Sequence, residues 1–100
     1  MTRVAIAIPK QELAAFCLRH HIRRLSLFGS VVRDDFGPGS DVDVLVEFEP
    51  EHTPGLAFFA VQEELSQLLA RKVDLNTPQG LGRYFRDRVL YEAKVLYAVP

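Results

Sequence analysis

The chain of 100 residues contains one cysteine, Cys17, one methionine and no tryptophan. A lone thiol excludes an internal disulfide framework and the usual cysteine spacings of structural zinc sites. No apolar run approaches the ~20 residues needed to span a bilayer. The opening MTRVAIAIPK lacks the length and cleavage pattern of a secretory signal. These absences lead us to expect a cytoplasmic protein with no membrane partner, and the length fits a single domain over residues 1–100. A further absence is local. Residues 34 to 51 carry no Lys or Arg but seven acids: Asp34, Asp35, Asp41, Asp43, Glu47, Glu49 and Glu51. All 12 bases lie elsewhere, and the net charge of −1 hides this asymmetry. Such a patch disfavours a nucleic-acid backbone and favours metal ions or a basic partner.

What is present is ordinary for a globular domain, with 48% hydrophobic and 25% charged residues. Residues 3 to 8 could form a short strand or arm, and Pro9 suits the first position of a helix. Leu13, Phe16, Cys17 and His20 then share one helical face. Arg23 to Phe28 reads as a strand closed by Gly29. Ser30 to Asp35 suits a turn of helix, and GPGS at 37 to 40 a turn. From Asp41 to Phe48, Val42, Val44 and Val46 alternate with Asp41, Asp43, Leu45 and Glu47, the clearest strand of the chain. Leu56 to Arg71 carries a helical stripe of Phe58, Val61, Leu65 and Leu68, with Leu69 beside it. Lys72 to Asn76 is a short strand. Gly82 to Ala93 reads as a helix with Phe85, Val89, Ala93 and Leu96 in register, though Val95 to Tyr97 also suits an extended segment. The order α, β, short α, β, α, β, α implies an α/β (α+β) fold, a small mixed sheet flanked by helices. If Gly29 meets Asp41, the first two strands run antiparallel and the residues between them form one rim.

Two aspartates two apart on a strand project from the same face. Carboxylates that close raise each other's pKa or need a cation between them. A hard ion with oxygen ligands, Mg²⁺ above all, meets that need at Asp41 and Asp43, and a pair of such ions can grip the attacking and leaving oxygens of a phosphoryl transfer. Gly29 lets the backbone approach an anion, Ser30 opens a turn whose N–H groups favour phosphate, and Arg33 can reach a phosphate oxygen. Asp74, between the core-facing Val73 and Leu75, belongs with the other two acids. It would hold the second metal or take a proton from an attacking hydroxyl.

The run LFGSVVRDDFGPGSDVDVLV resembles the signature of nucleotidyltransferases of the DNA polymerase β superfamily, where Gly-Ser precedes Asp-x-Asp by about a dozen residues. The size and the Val-Arg pair resemble the minimal prokaryotic members, over roughly Pro9 to Tyr97. The resemblance implies a nucleotidyltransferase fold, with Gly29 and Ser30 matching the phosphate-binding pair. Asp41, Asp43 and Asp74 match the catalytic and metal-binding carboxylates. It also implies Mg²⁺, ATP as substrate and a HEPN-type ribonuclease as partner, with transfer of AMP to a tyrosine of that partner, which the protein serves as antitoxin. Relatives often carry glycine after the arginine, where this chain has Asp34.

Simpler readings stand beside these. An EF-hand loop fits poorly, because Leu45 stands where a third oxygen ligand belongs and no glycine follows. DFG at 35 to 37 is no kinase motif, since the chain is too short and has no His-Arg-Asp loop. His20 reads as a core or boundary residue, His21 and His52 as solvent-facing, and none of the three as a metal ligand. Cys17 reads as buried and inert, and Arg83, Arg86 and Arg88 as a solvated helix face. Two other functions compete with transfer. One is a binding module that neutralises a partner through segment 34 to 51 and residues such as Phe59. The other is a domain that senses a nucleotide without turning it over.

Overall fold

Alternation along the chain is translated directly into a four-stranded sheet. The structure is a computed structural model and describes residues 6–99. In chain order the elements are α1 (Lys10–Arg19), β1 (Ile22–Phe28), β2 (Val42–Phe48), α2 (Phe58–Leu69), β3 (Val73–Asn76), α3 (Arg83–Glu92) and β4 (Lys94–Ala98). Single 3₁₀ turns cover Gly29–Val32, Gly55–Ala57 and Pro78–Gly80. The sheet order is β3-β2-β1-β4. As expected from the meeting of Gly29 and Asp41, β1 runs antiparallel to β2. β4 is also antiparallel to β1, and β3 is parallel to β2.

Both sheet faces follow from the period of two. Leu25 and Leu27 of β1, Val42, Val44 and Val46 of β2, and Val73 and Leu75 of β3 pack against Leu13, Phe16 and Cys17 of α1 and Val61, Leu65 and Leu69 of α2. The opposite face is covered in part: Phe28 and Leu45 pack with Leu81 and with Val89 of α3. Asp43 and Asp74 extend from that second face.

The edge at β3 is sealed by α2. Ser66 Oγ accepts the Val73 N–H at 3.0 Å and Gln62 Oε1 accepts the Leu75 N–H at 2.8 Å. Side chains of the crossover helix thus satisfy donors that would otherwise template further pairing.

Three expectations need adjustment. The turn after Gly29 is 3₁₀ and spans Gly29–Val32, short of Asp35. The last helix ends at Glu92, because Ala93 turns extended and the chain enters β4 on the free edge of β1. Leu96 therefore lies on a strand, and Phe85 is half-exposed. Residues 3–5 of the suggested N-terminal arm lie outside the described residues, and residues 6–8 form no strand. Cys17 is fully buried, and desolvation pushes its thiol up to about 12, so it stays protonated and unreactive.

Candidate active site

Phe28 ends β1 opposite Asp43, and the next residue must let the chain turn across that carboxylate. Gly29 does so with φ +74°, and a Cβ built on it would lie 2.2 Å from Asp43 Oδ2. Any side chain here would collide with the acid, and the left-handed backbone also favours glycine. Gly29 is therefore the floor beneath Asp43, and Ser30 follows it half-buried in the 3₁₀ turn.

Asp43 and Asp74 are direct partners in the parallel β2–β3 ladder. Neighbouring strands lie ~4.8 Å apart, so the two carboxyl groups meet. Burial, then the charges of Asp74 and Asp41, push the Asp43 carboxyl above the usual carboxylate range, with Arg33 pulling partly the other way. The ionised state is thus held at a cost that a cation would remove. The donor set is all carboxylate oxygen, which suits a hard divalent ion such as Mg²⁺. Asp41 is the looser member. It is exposed just before β2, and its Oδ2 lies 4.0 Å from Lys72 Nζ.

These observations join a glycine-floored turn to carboxylates on two adjacent strands. Residues 10–96 match the nucleotidyltransferase domain family. The chain belongs to that family, and it is an enzyme of the nucleotidyltransferase type.

Among relatives, the nucleotidyltransferase is 34% identical over 84 residues to a Methanocaldococcus jannaschii protein named as a protein adenylyltransferase, covering 84% of this chain and 89% of the other. It is 39% identical over 74 residues to the protein adenylyltransferase MntA of Thermococcus cleftensis, covering 74% of each. A solved minimal nucleotidyltransferase superposes with a TM-score of 0.71 at 35% identity, covering 85% of this chain and 86% of that one. The MNT antitoxin complex with a tri-AMPylated HEPN toxin of Shewanella oneidensis superposes at TM-score 0.61 and 17% identity, covering 90% of this chain and 70% of that one. This last likeness shows the fold alone.

The structure also brings to this rim residues that sequence reasoning missed. Glu92, at the end of α3, accepts the Gly29 N–H on Oε1 at 3.1 Å and holds Arg33 Nη1 at 3.8 Å from Oε2. Arg33 also lies 3.5 Å from Asp35 Oδ1. Its guanidinium is thus held between carboxylates on the rim. Arg71, just past α2, donates from Nη2 to the carbonyls of Gly37 and Ser40 at 3.0 Å each, and its guanidinium stacks 4.5 Å over the Phe36 ring. It thereby fixes the loop that delivers Asp41. No local pattern marks either residue, since Glu92 acts 63 positions from Gly29. At the position where relatives often carry glycine after the arginine, this chain needs no glycine backbone. Among the described residues, positive φ at non-glycine positions occurs only at His21, Glu51 and Ala70, so Asp34 has ordinary backbone, and it faces solvent.

A cleft of about 410 Å³ lies farther along the sheet, lined in part by Glu47, Phe48, Thr77 and Gln79. None of the sequence-predicted site residues lines it. His20 sits at the end of α1 against Phe16 and shares a 3.0 Å hydrogen bond with Glu64, a boundary role. Arg83 and Arg88 are exposed, while Arg86 is half-buried and donates to the Leu81 carbonyl at 3.4 Å.

Proposed function

We propose that this nucleotidyltransferase moves AMP from ATP to a hydroxyl, that of a tyrosine on a HEPN-type partner, and so acts as its antitoxin. The observation that carries the reading is the ladder pairing of Asp43 with Asp74 above Gly29, with Asp43 held above the usual carboxylate range. The names of the two adenylyltransferase relatives and the AMPylated toxin in the Shewanella complex support the choice of nucleotide and partner. In this reading residues 1–100 are a single minimal domain working in the cytoplasm, and the partner chain completes the acceptor site.

Asp41, Asp43 and Asp74 would hold Mg²⁺, as two ions. Bound there, Mg²⁺ supplies the positive charge that neutralises a triphosphate and the oxygens of a phosphoryl transfer. The chain's own groups do the rest. Gly29 and Ser30 give the triphosphate a close approach to backbone and hydroxyl. Arg33 exchanges its carboxylate partners for a phosphate oxygen. Asp74, the more exposed of the paired acids, takes the proton of the acceptor hydroxyl. That oxygen forms a bond to the α-phosphorus as the bond to the β-phosphate oxygen breaks and pyrophosphate leaves. α3 packs on the same sheet face and leaves Tyr84 and Tyr91 94% exposed, apolar surface of the kind a protein acceptor covers.

A second reading, neutralisation by binding alone, is favoured by one observation: Arg33 already lies between Asp35 and Glu92. Incubation with ATP labelled in the α-phosphate, Mg²⁺ and a HEPN-type partner separates the two. Transfer predicts label on the partner that Asp43→Asn abolishes while the complex still forms. Label that persists in Asp43→Asn contradicts the assignment of the carboxylates. Protection of the partner without any label establishes the second reading.

A further inference from the structure

We propose that His21, Glu49 and His52 form a transition-metal site, taking Zn²⁺ with one coordination position left for water. One ligand atom from each of the three lies within 4.8 Å of those of the others. Some point therefore lies within about 2.8 Å of all three atoms, against ~2.0–2.2 Å for zinc bound to imidazole nitrogen or carboxylate oxygen. Closing the site takes less than an ångström of approach per ligand, together with rotation of the stacked imidazoles so that one ion lies in both ring planes. All three side chains are at the surface: His21 and His52 are exposed and Glu49 is half-exposed.

The backbone gathers these ligands before any ion arrives. The Glu49 N–H donates to the His21 carbonyl at 2.8 Å and the His52 N–H to the Glu49 carbonyl at 3.0 Å. His21 and Glu51 both adopt left-handed backbone, φ 55° and 69°, which turns the entry to β1 and the exit of β2 toward each other. The imidazoles stack at 3.9 Å between centroids with 16° between planes. His21 Nδ1 lies 3.9 Å from Glu49 Oε2. Two imidazoles with one carboxylate is a donor set that suits zinc and is too nitrogen-rich for Mg²⁺.

The site is separate from the carboxylates of the catalytic reading. In the β1–β2 ladder Ile22 pairs with Phe48 at one end and Phe28 with Asp43 at the other, six residues or ~20 Å apart. An ion here would staple the start of β1 to the loop after β2.

The test is calorimetric titration of the full chain with Zn²⁺, in millimolar Mg²⁺, alongside His21→Asn, His52→Ala and Asp43→Asn. Asparagine tolerates the left-handed backbone at position 21, and His52 is exposed, so both variants should fold. We expect one Zn²⁺ per wild-type chain and affinity reduced by roughly tenfold or more in either histidine variant. Asp43→Asn should bind as wild type. Zn²⁺ should also raise the melting temperature of wild type but not of His52→Ala. Absence of stoichiometric uptake, uptake unchanged in both histidine variants, or uptake lost in Asp43→Asn would each overturn the proposal.

Discussion

Toward α1 and α2, β2 presents Val42, Val44 and Val46, all fully buried, whereas toward α3 the same strand presents Asp43, Leu45 and Glu47. One face is closed by two helices and the other is only partly closed by one. The difference comes from alternation along a single strand: the residues that fix β2 in place also dictate where the intervening acids must point. Register then does what alternation cannot. Because β3 lies parallel and in step, Asp74 falls beside Asp43, and two acids 31 positions apart share one environment.

Breaking the closed face should have the largest effect on stability. Leu65 is fully buried, and Leu65→Ala is expected to cost about 2–5 kcal/mol through lost burial and a cavity, read as a lower midpoint in urea. By contrast, Asp43→Asn on the open face should abolish transfer and leave the fold intact. Gly29→Ala tests the seam between the faces. The added methyl would meet Asp43 Oδ2, and the backbone already has φ +74°. A loss of about 1–3 kcal/mol is expected from strain, with a fall in activity as the carboxylate is displaced. Wild-type activity in that variant would show that Gly29 does not position Asp43.

Smaller effects should follow at the rim. Arg71→Lys keeps the charge but cannot reproduce the shared guanidinium contacts with the loop carbonyls and Phe36. It should cost about 1 kcal/mol and weaken nucleotide binding without changing the core, which hydrogen exchange of residues 36–41 would report. Glu64 supplies the smallest term. Its carboxyl is held below the usual range, mainly by the hydrogen bond from Arg19 and then by His20. The stability it adds is present above the ordinary carboxylate range and lost as pH falls. For so exposed a pair Glu64→Gln should cost about 0.5 kcal/mol at neutral pH, measured by denaturant unfolding.

Much of this arrangement was legible in the sequence. The period-two pattern of residues 41–48 gave β2 and the facing of Asp43, and Val73 and Leu75 fixed the facing of Asp74, while Asp41 falls just before the strand. These are local signals, repeated within a few residues. β4 was only half legible because no glycine or proline separates it from α3, and its pairing with β1 overrides the helical register that reached Leu96. Glu92, Arg71 and the pairing of His21 with His52 had no local signature at all. Each depends on contacts made across the fold, and an isolated Glu, Arg or His on a polar segment looks the same whether or not such a contact exists.

The central claim is that ionised Asp43 beside Asp74 carries a cost that a bound divalent cation would remove. Its sign is testable. With the folded carboxyl pushed above its usual range, the stability Asp43 contributes is fully present below the ordinary carboxylate range and lost as pH rises through the elevated value. Once ionised, the group is a net cost. Thermal unfolding of wild type and Asp43→Asn at pH 7.5, with and without Mg²⁺, measures this directly. Without the ion, Asp43→Asn should melt above wild type; with it, wild type should rise and the variant should not. A wild type indifferent to Mg²⁺, or a variant that is less stable and gains as much from the ion, would contradict the account.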